Sequence, residues 1–469
     1  MHSAHEFGTM LMVKKGGIQV MKMENDLGKD PIKKLVLRIA LPSMLAQFVS
    51  VFYSIVDRMY IGNIPEIGAN ALAGVGVCGP VVTMVGSIAF LVGVGGAPLM
   101  SMRLGEGRKN EAQKILSNAF AMLLFFSILV VLLLIPIRKP MLQLFGASAT
   151  TLPYASTYFT FYLMGTVFAL LSQGMNQFII CQGFSKVGMQ SVVIGAIFNI
   201  ILDPIFIFVF HMGVAGAAIA TVLSQLASCI FVLSFLFGKR SPIKIGFSGY
   251  NRIIMRKILT IGMTPFIIIA LDNIMIISMN AILQKYGGPQ QGDLLVTCAT
   301  IAQSFMLVVT MPLGGITGGT QTILAFNYGA KNFKRVKSAE KYIMILSAAY
   351  TTVLFILANV AGQYFVRLFT NDAQLTLHAL RAIHICSMMI IPLAIQYAVV
   401  DGFTGLGQVR YSLPLSMFRK TVYFLFLFLL PAIWGAQATF YAEPISDIIS
   451  PIVSVLVMVH ASKRILKEE

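Results

Sequence analysis

A chain of 469 residues with 57% hydrophobic and 11% charged residues, and a mean hydropathy of +0.82, lies far outside the composition of soluble domains, in which about 25% of residues are charged. It is an integral membrane protein. The net charge of +17 points to nucleic acid only if the basic residues form a binding surface, and their distribution excludes that.

From the start, "MHSAHEFGTMLMVKKGGIQVMKMENDLGKD" has no apolar region of signal-peptide length, and its first ten residues resemble an expression-vector leader. Residues 1–30 are read as a leader and flexible cytoplasmic N-terminus. Apolar segments long enough to cross a hydrocarbon core, about twenty residues each, then recur at 33–62, 71–103, 113–136, 153–180, 188–210, 213–238, 253–285, 294–327, 338–368, 376–405, 411–434 and 437–462. The fold class is therefore all-α, with twelve transmembrane helices. The cysteines, Cys78, Cys181, Cys229, Cys298 and Cys386, fall inside these segments without metal-type spacing and read as small core residues.

With the N-terminus inside, 27 of the 35 lysines and arginines fall on one side of the membrane, the asymmetry expected of cytoplasmic loops. Both termini are placed in the cytoplasm and the protein in the cell membrane, multi-pass. The excess charge faces an anionic leaflet; no nucleic-acid partner is expected.

The halves resemble each other. An offset of 224 residues aligns Gly105 with Gly329, Leu144-Phe145 with Leu368-Phe369, Ala155 with Ala379 and Gly183 with Gly407. Two copies of an even-numbered unit insert the same way round and are related by an axis along the membrane normal. This gives two pseudo-symmetric six-helix lobes, residues 31–238 and 253–469, joined by a basic cytoplasmic linker, 239–252. Such a pair suits a transporter, since rocking one bundle against the other exposes a fixed site to alternate sides.

Charged side chains in mid-bilayer are costly, so those retained face an interior or a cavity. Asp203 in "FNIILDPIFIF" is the clearest, with Asn199 one turn before it and Pro204 freeing the carbonyl of Ile200 from its helical partner. Asp203 lies roughly 12 Å below the outer end of its helix, Asp57 in "SIVDRMYIG" roughly 9 Å and Thr221 roughly 12 Å, at 1.5 Å rise per residue. These residues can meet at one level. Two close carboxylates in low dielectric do not both stay charged without a cation, so one holds a proton or the pair binds a metal ion. The oxygen set suits Na⁺ as well as H⁺. The alternative is structural: Asp203 bonded to Asn199 and Thr221, and Asp57 paired with Arg58.

The C-terminal half has a different polar set. "GVAGAAIAT" aligned with "GAQATFYAE" puts Glu443 where Thr221 stands, and Asp447 follows one turn later. Arg419 and Asp447 lie at similar depth, while Asp272, Asp401 and Lys420 add further charges. A structural charge network is the preferred reading here and a second coupling site the alternative. Gln47, Tyr53, Gln173, Asn176 and Gln177 on the first and fourth helices are candidates for a substrate path or for interhelical hydrogen bonds. "GVGG" and "LGGITGG" lack a following lysine and sit in apolar helices, which favours close helix packing over phosphate binding. With no catalytic triad, zinc motif or nucleotide loop in the sequence, neither an enzyme nor an ATP-driven pump is expected.

In order along residues 32–462, "LPSMLAQFVSVFYSIVDRMYIGNI", "APLMSMRLGEGRKNEA", "NIILDPIFIF", "GVAGAAIAT", "FTGLGQVR" and "YAEPISD" resemble the multidrug and toxic compound extrusion (MATE) family, nearest its bacterial and archaeal multidrug exporters. The resemblance implies antiport, in which H⁺ or Na⁺ drives export of amphipathic, often cationic drugs through a cleft between two lobes, by a monomer with no other cofactor. Under it Asp57, Asn199, Asp203 and Thr221 match the cation-binding positions. Tyr53 and Asn176 match cleft-facing positions, and Pro42 a first-helix proline proposed to bend, so that Pro42 and Pro204 are the hinge candidates. Asp272 approximates an acidic position that some members use for Na⁺, and Asp401 matches more loosely, which leaves the coupling ion open. The competing function is a flippase for lipid-linked oligosaccharides or cell-wall precursors in the same wider superfamily. Its anionic cargo needs a basic cleft.

Overall fold

In lipid the backbone has no water to bond with, so each long apolar segment closes its N–H and C=O groups internally as a helix. The structure, a computed structural model, describes residues 10–14, 17–21, 25–370 and 372–465. After a short antiparallel hairpin, β1 (Met10–Lys14) and β2 (Gly17–Met21), it is all helical. The first lobe holds α1 (Ile32–Gly62), α2 (Gly68–Gly105), α3 (Lys109–Leu144), α4 (Leu152–Ile180), α5 (Ser185–Pro204) and α6 (Gly213–Phe237). The second holds α7 (Arg252–Gly288), α8 (Leu294–Gly329), α9 (Phe333–Arg367), α10 in two parts (Ala373–Ser387 and Ile390–Gly405), α11 (Val409–Trp434) and α12 (Ala442–Ile465). That is twelve spans among the described residues, counting the bent pair as one. Exposed Phe125, Leu132, Val360 and Leu456 are typical of the outer surface, where lipid takes the place of water.

The observed helix ends lie mostly within a few residues of the expected spans, and three departures have local causes. α3 runs past 136 to Leu144, because Arg138 and Lys139 near the membrane surface can keep their stems in the helix and their heads in polar surroundings. α10 bends by 46° between Ser387 and Ile390, just before Pro392, which has no amide proton to give. α5 closes at Pro204 and continues as a π-helical turn, Ile205–Val209, the wider winding that often marks functional positions. Between α7 and α8 the chain turns at Gly288, whose φ of 64° and ψ of −171° exclude a side chain.

The duplication is visible in the packing. A Cβ on Gly105 would lie 2.0 Å from the carbonyl oxygen of Phe326, and a Cβ on Gly329 would lie 2.1 Å from that of Met102. Gly105 and Gly329, and likewise Met102 and Phe326, are equivalent under the 224-residue offset, so each half makes the same contact to the other, as a two-fold axis requires. Ser101 Oγ also donates to Thr322 O at 3.0 Å. Farther along, α7 meets α2 where Gly262 approaches Leu91 O, and α8 meets α1 where Gly315 and Gly319 approach Ser43, beside Pro42. All these contacts lie in the half of the bundle that carries the basic loops. The lobes are closed together at that end.

Two polar segments brace the closure. Asn25 Nδ2 donates to Gly183 O at 2.9 Å in the first lobe. Across the interface, Leu27 O accepts from Asn327 Nδ2 at 3.0 Å and Arg335 Nη2 at 3.2 Å, and Asp30 O accepts from Arg335 Nη2 at 2.8 Å. Residues 25–30 therefore strap the two lobes, although composition alone places them with a flexible N-terminus. The basic connection is likewise packed: Ile243 N donates to Gln182 Oε1 at 2.9 Å, Gly246 N to Ser117 Oγ at 3.0 Å and Asn251 N to Asn118 Oδ1 at 2.9 Å. Its backbone groups find partners in the first lobe instead of water.

Candidate functional site

Inside the first lobe, α1, α5 and α6 bring their polar residues to one level. α5 places Asn199 and Asp203 four residues apart on one face, both buried, with Asn199 Nδ2 donating to Asp203 Oδ1 at 3.2 Å. Asp57 on α1 comes within hydrogen-bonding reach of Asp203, although the two are 146 residues apart in sequence. Thr221 on α6 spends its proton on Ala217 O at 3.0 Å. Its oxygen stays available, and Tyr158 of α4 lies nearby. Tyr53, one turn before Asp57, is close to both carboxyls, and Tyr162 is close to Tyr53. Two acids, an amide, a threonine hydroxyl and three phenols thus share one pocket.

Three buried oxygens in this pocket, Asp57 Oδ1, Asn199 Oδ1 and Asp203 Oδ2, have no hydrogen-bond partner in the protein. A buried acceptor left unpaired costs about 1–3 kcal/mol. Two carboxyl oxygens and an amide oxygen left open in this way make a hard, oxygen-only donor set of the kind that holds a small cation, and a proton shared by the carboxyls meets the same need. The residues therefore fit H⁺ or an alkali cation. Among the described residues no group of three or more Asp, Glu, His or Cys is assembled, so a site of the transition-metal kind is not what this pocket resembles.

The second lobe holds two separate charge clusters. Arg419 Nε donates to Asp447 Oδ1 at 2.8 Å, both side chains buried, and Ser446 Oγ donates to the same oxygen at 3.3 Å. Lys420, also buried, pairs with Asp272, whose side chain is 46% exposed. Glu443 lies within electrostatic reach of Asp447, Arg419, Lys420 and Asp272. Asp401 belongs elsewhere: Thr317 Oγ1 donates to its Oδ2 at 2.5 Å, with Gln321 nearby. Its charged neighbour is Glu340, which is 7% exposed, lies against Gly402 and has Oε1 unpartnered.

The candidate path residues do not gather in one place. Tyr53 joins the acidic pocket. Gln47 packs where α1 meets Gly315 at the lobe interface. Gln173 is exposed, while Asn176 is 8% exposed and sits between α4 and α5, its Oδ1 near Gly188. Sequence reasoning missed Tyr158, Tyr162 and Glu340. The two tyrosines stand four apart, one face of a helix, which is a usable signal; Glu340 follows a run of lysines that makes it look like a solvated helix start.

The sequence model of the MatE family matches residues 42–205 and 269–450, one block in each lobe. The chain belongs to the MatE family. Among its relatives, the multidrug export protein MepA of Staphylococcus haemolyticus is 23% identical over 438 residues, covering 92% of this chain and 95% of the relative. MepA of Staphylococcus aureus is 23% identical over 435 residues, covering 92% and 94%. Solved structures share the fold. One described as an outward-facing conformation of a multidrug resistance MATE family transporter superposes with TM-score 0.88 at 22% identity, covering 94% of this chain and 98% of that one. A MOP superfamily transporter from Pyrococcus furiosus gives the same TM-score, identity and coverage. The MatE assignment therefore rests on the family match, and the fold on both.

Proposed function

We propose that this MatE protein is a secondary multidrug exporter, in which H⁺ or Na⁺ entering the pocket of Asp57, Asn199, Asp203 and Thr221 drives amphipathic, often cationic compounds out of the cell. The single observation that carries the reading is a pair of neighbouring carboxyls in which one oxygen of each, together with Asn199 Oδ1, is buried without a hydrogen-bond partner. The relatives named as multidrug export proteins support the direction and the cargo class. The basic loops support a cytoplasmic placement of the closed end and of both termini, so the cleft between the lobes opens outward in this conformation.

The coupling follows from charge. An occupied pocket is neutral or nearly so, while an empty one leaves acidic charge that favours an organic cation in the cleft. Each ligand weakens the other through the same carboxyls, and this reciprocal penalty is the coupling free energy. Tyr158, Tyr162 and Tyr53 close the pocket with phenols, which keep water out while offering hydroxyls. The C-lobe clusters are assigned a mainly structural role. Arg419 and Lys420 are buried and paired with Asp447 and Asp272, which leaves little free positive charge for the anionic cargo of a flippase.

Efflux of a fluorescent organic cation from proteoliposomes, driven separately by a pH gradient and by a Na⁺ gradient, tests the proposal. One of the two gradients should drive efflux; silence under both would refute secondary antiport.

A further inference from the structure

A second polar site lies away from the acidic pocket. At the end opposite the basic loops, α3 and α4 flank an open groove of about 510 Å³ lined by Arg138, Lys139, Ser156, Thr157, Thr160 and Phe161 among others. Arg138 Nη1 is engaged by its own helix, donating to Ile135 O at 2.7 Å, but its Nε is buried without a partner. Thr160 Oγ1 donates to Ser156 O at 2.6 Å. α4 begins beside the groove, but Leu152 N already donates to Ser148 O at 2.9 Å and Pro153 has no N–H, so the anion-binding groups here are side chains.

The neighbouring surface identifies the occupant. Within its lobe α3 packs on α2 and α4, and in the turns before Arg138 it exposes Leu132, Leu133 and Ile137. That face meets acyl chains. A guanidinium, an ammonium and two or more hydroxyls around one space match a tetrahedral group with several anionic oxygens. We propose that this groove binds the phosphate of an anionic membrane lipid, with Arg138 and Lys139 on its oxygens, Ser156 and Thr157 donating, and the lipid's carbons lying along Phe161 and the apolar face of α3. The site is independent of the transport reading, since it shares no residue with the acidic pocket.

Native mass spectrometry of the full chain tests it, comparing retention of phosphatidylglycerol and phosphatidylcholine with and without millimolar inorganic phosphate. The wild type should retain phosphatidylglycerol preferentially. Arg138→Gln with Lys139→Gln should lower that retention about tenfold or more, the loss expected for charge-assisted bonds. Arg138→Lys with Lys139→Arg should restore much of it, and Ser156→Ala with Thr157→Ala should weaken it without changing charge, which keeps the test open if the glutamine pair fails to fold. Inorganic phosphate that displaces the lipid from wild type would support the phosphate chemistry and move the source to the free ion. Undiminished phosphatidylglycerol on the glutamine pair, or on the alanine pair if the glutamine pair cannot be purified, overturns the proposal.

Discussion

Gly105→Ala is the sharpest perturbation of the lobe closure. The new methyl would sit 2.0 Å from Phe326 O and 2.9 Å from its carbonyl carbon, where real Cβ contacts essentially never fall below 3.0 Å. The obstacle is backbone, so no side chain can swing aside, and α2 and α8 must part by about 1 Å; overpacking of this kind costs about 1–3 kcal/mol. The penalty applies to the conformation closed at the basic end and vanishes when the lobes separate there. It therefore shifts the balance between the two by about 5- to 150-fold. Gly329→Ala acts on the reciprocal contact at 2.1 Å and should behave alike, with the two effects not additive because both relieve by the same movement. Spin labels at Leu144 and Leu368, equivalent positions at the opposite end, report the change as a double electron–electron resonance distance. The five native cysteines are buried, which limits background labelling. Both variants should populate shorter distances across the opposite end. An unchanged distribution in a folded variant would refute a closure that depends on these glycines.

Three other outcomes follow from the packing. Arg335→Ala removes its bonds to Asn327, Leu27 and Asp30, worth about 1–3 kcal/mol each where charge-assisted, and amide hydrogen exchange over residues 25–30 should accelerate; unchanged protection would mean the strap is not held by this side chain. Arg419→Leu leaves fully buried Asp447 without its partner, a loss of about 3–5 kcal/mol, so the melting temperature should fall and Asp447→Leu in the same chain should recover most of it. Glu340→Gln keeps the shape beside Asp401 while removing a carboxyl whose ionisation burial opposes, so thermal stability should hold or rise, and a marked fall would show that the acid is required in its own right.

Much of the fold was legible because lipid simplifies the code. Each span must be an apolar helix, and the 224-residue offset located the reciprocal glycines before any contact was known. The depth of Asp57, Asp203 and Thr221 could be counted from helix ends, since rise per residue is fixed. What escaped was pairing that leaves no local trace. The Asn25–Asp30 strap and the packed connection after α6 bond mostly through backbone groups to partners 59 or more residues away, and backbone atoms look the same in every sequence. The bend in α10, at Met388–Met389, did leave a trace in Pro392 just beyond it, but the apolar run across it reads as one unbroken span. Glu340 was hidden by its lysine neighbours, because the helix start buries one face and leaves the other to solvent.

Antiport through the first lobe requires an exchangeable cation held by carboxyls of α1 and α5. Adding a saturating organic cation to the purified protein in weakly buffered solution, while following free H⁺ with a dye and free Na⁺ with an electrode, measures it most directly. The wild type should release one of these ions on drug binding, and Asp203→Asn, still folded, should not. No release from the wild type, or equal release from the variant, would contradict antiport through these carboxyls.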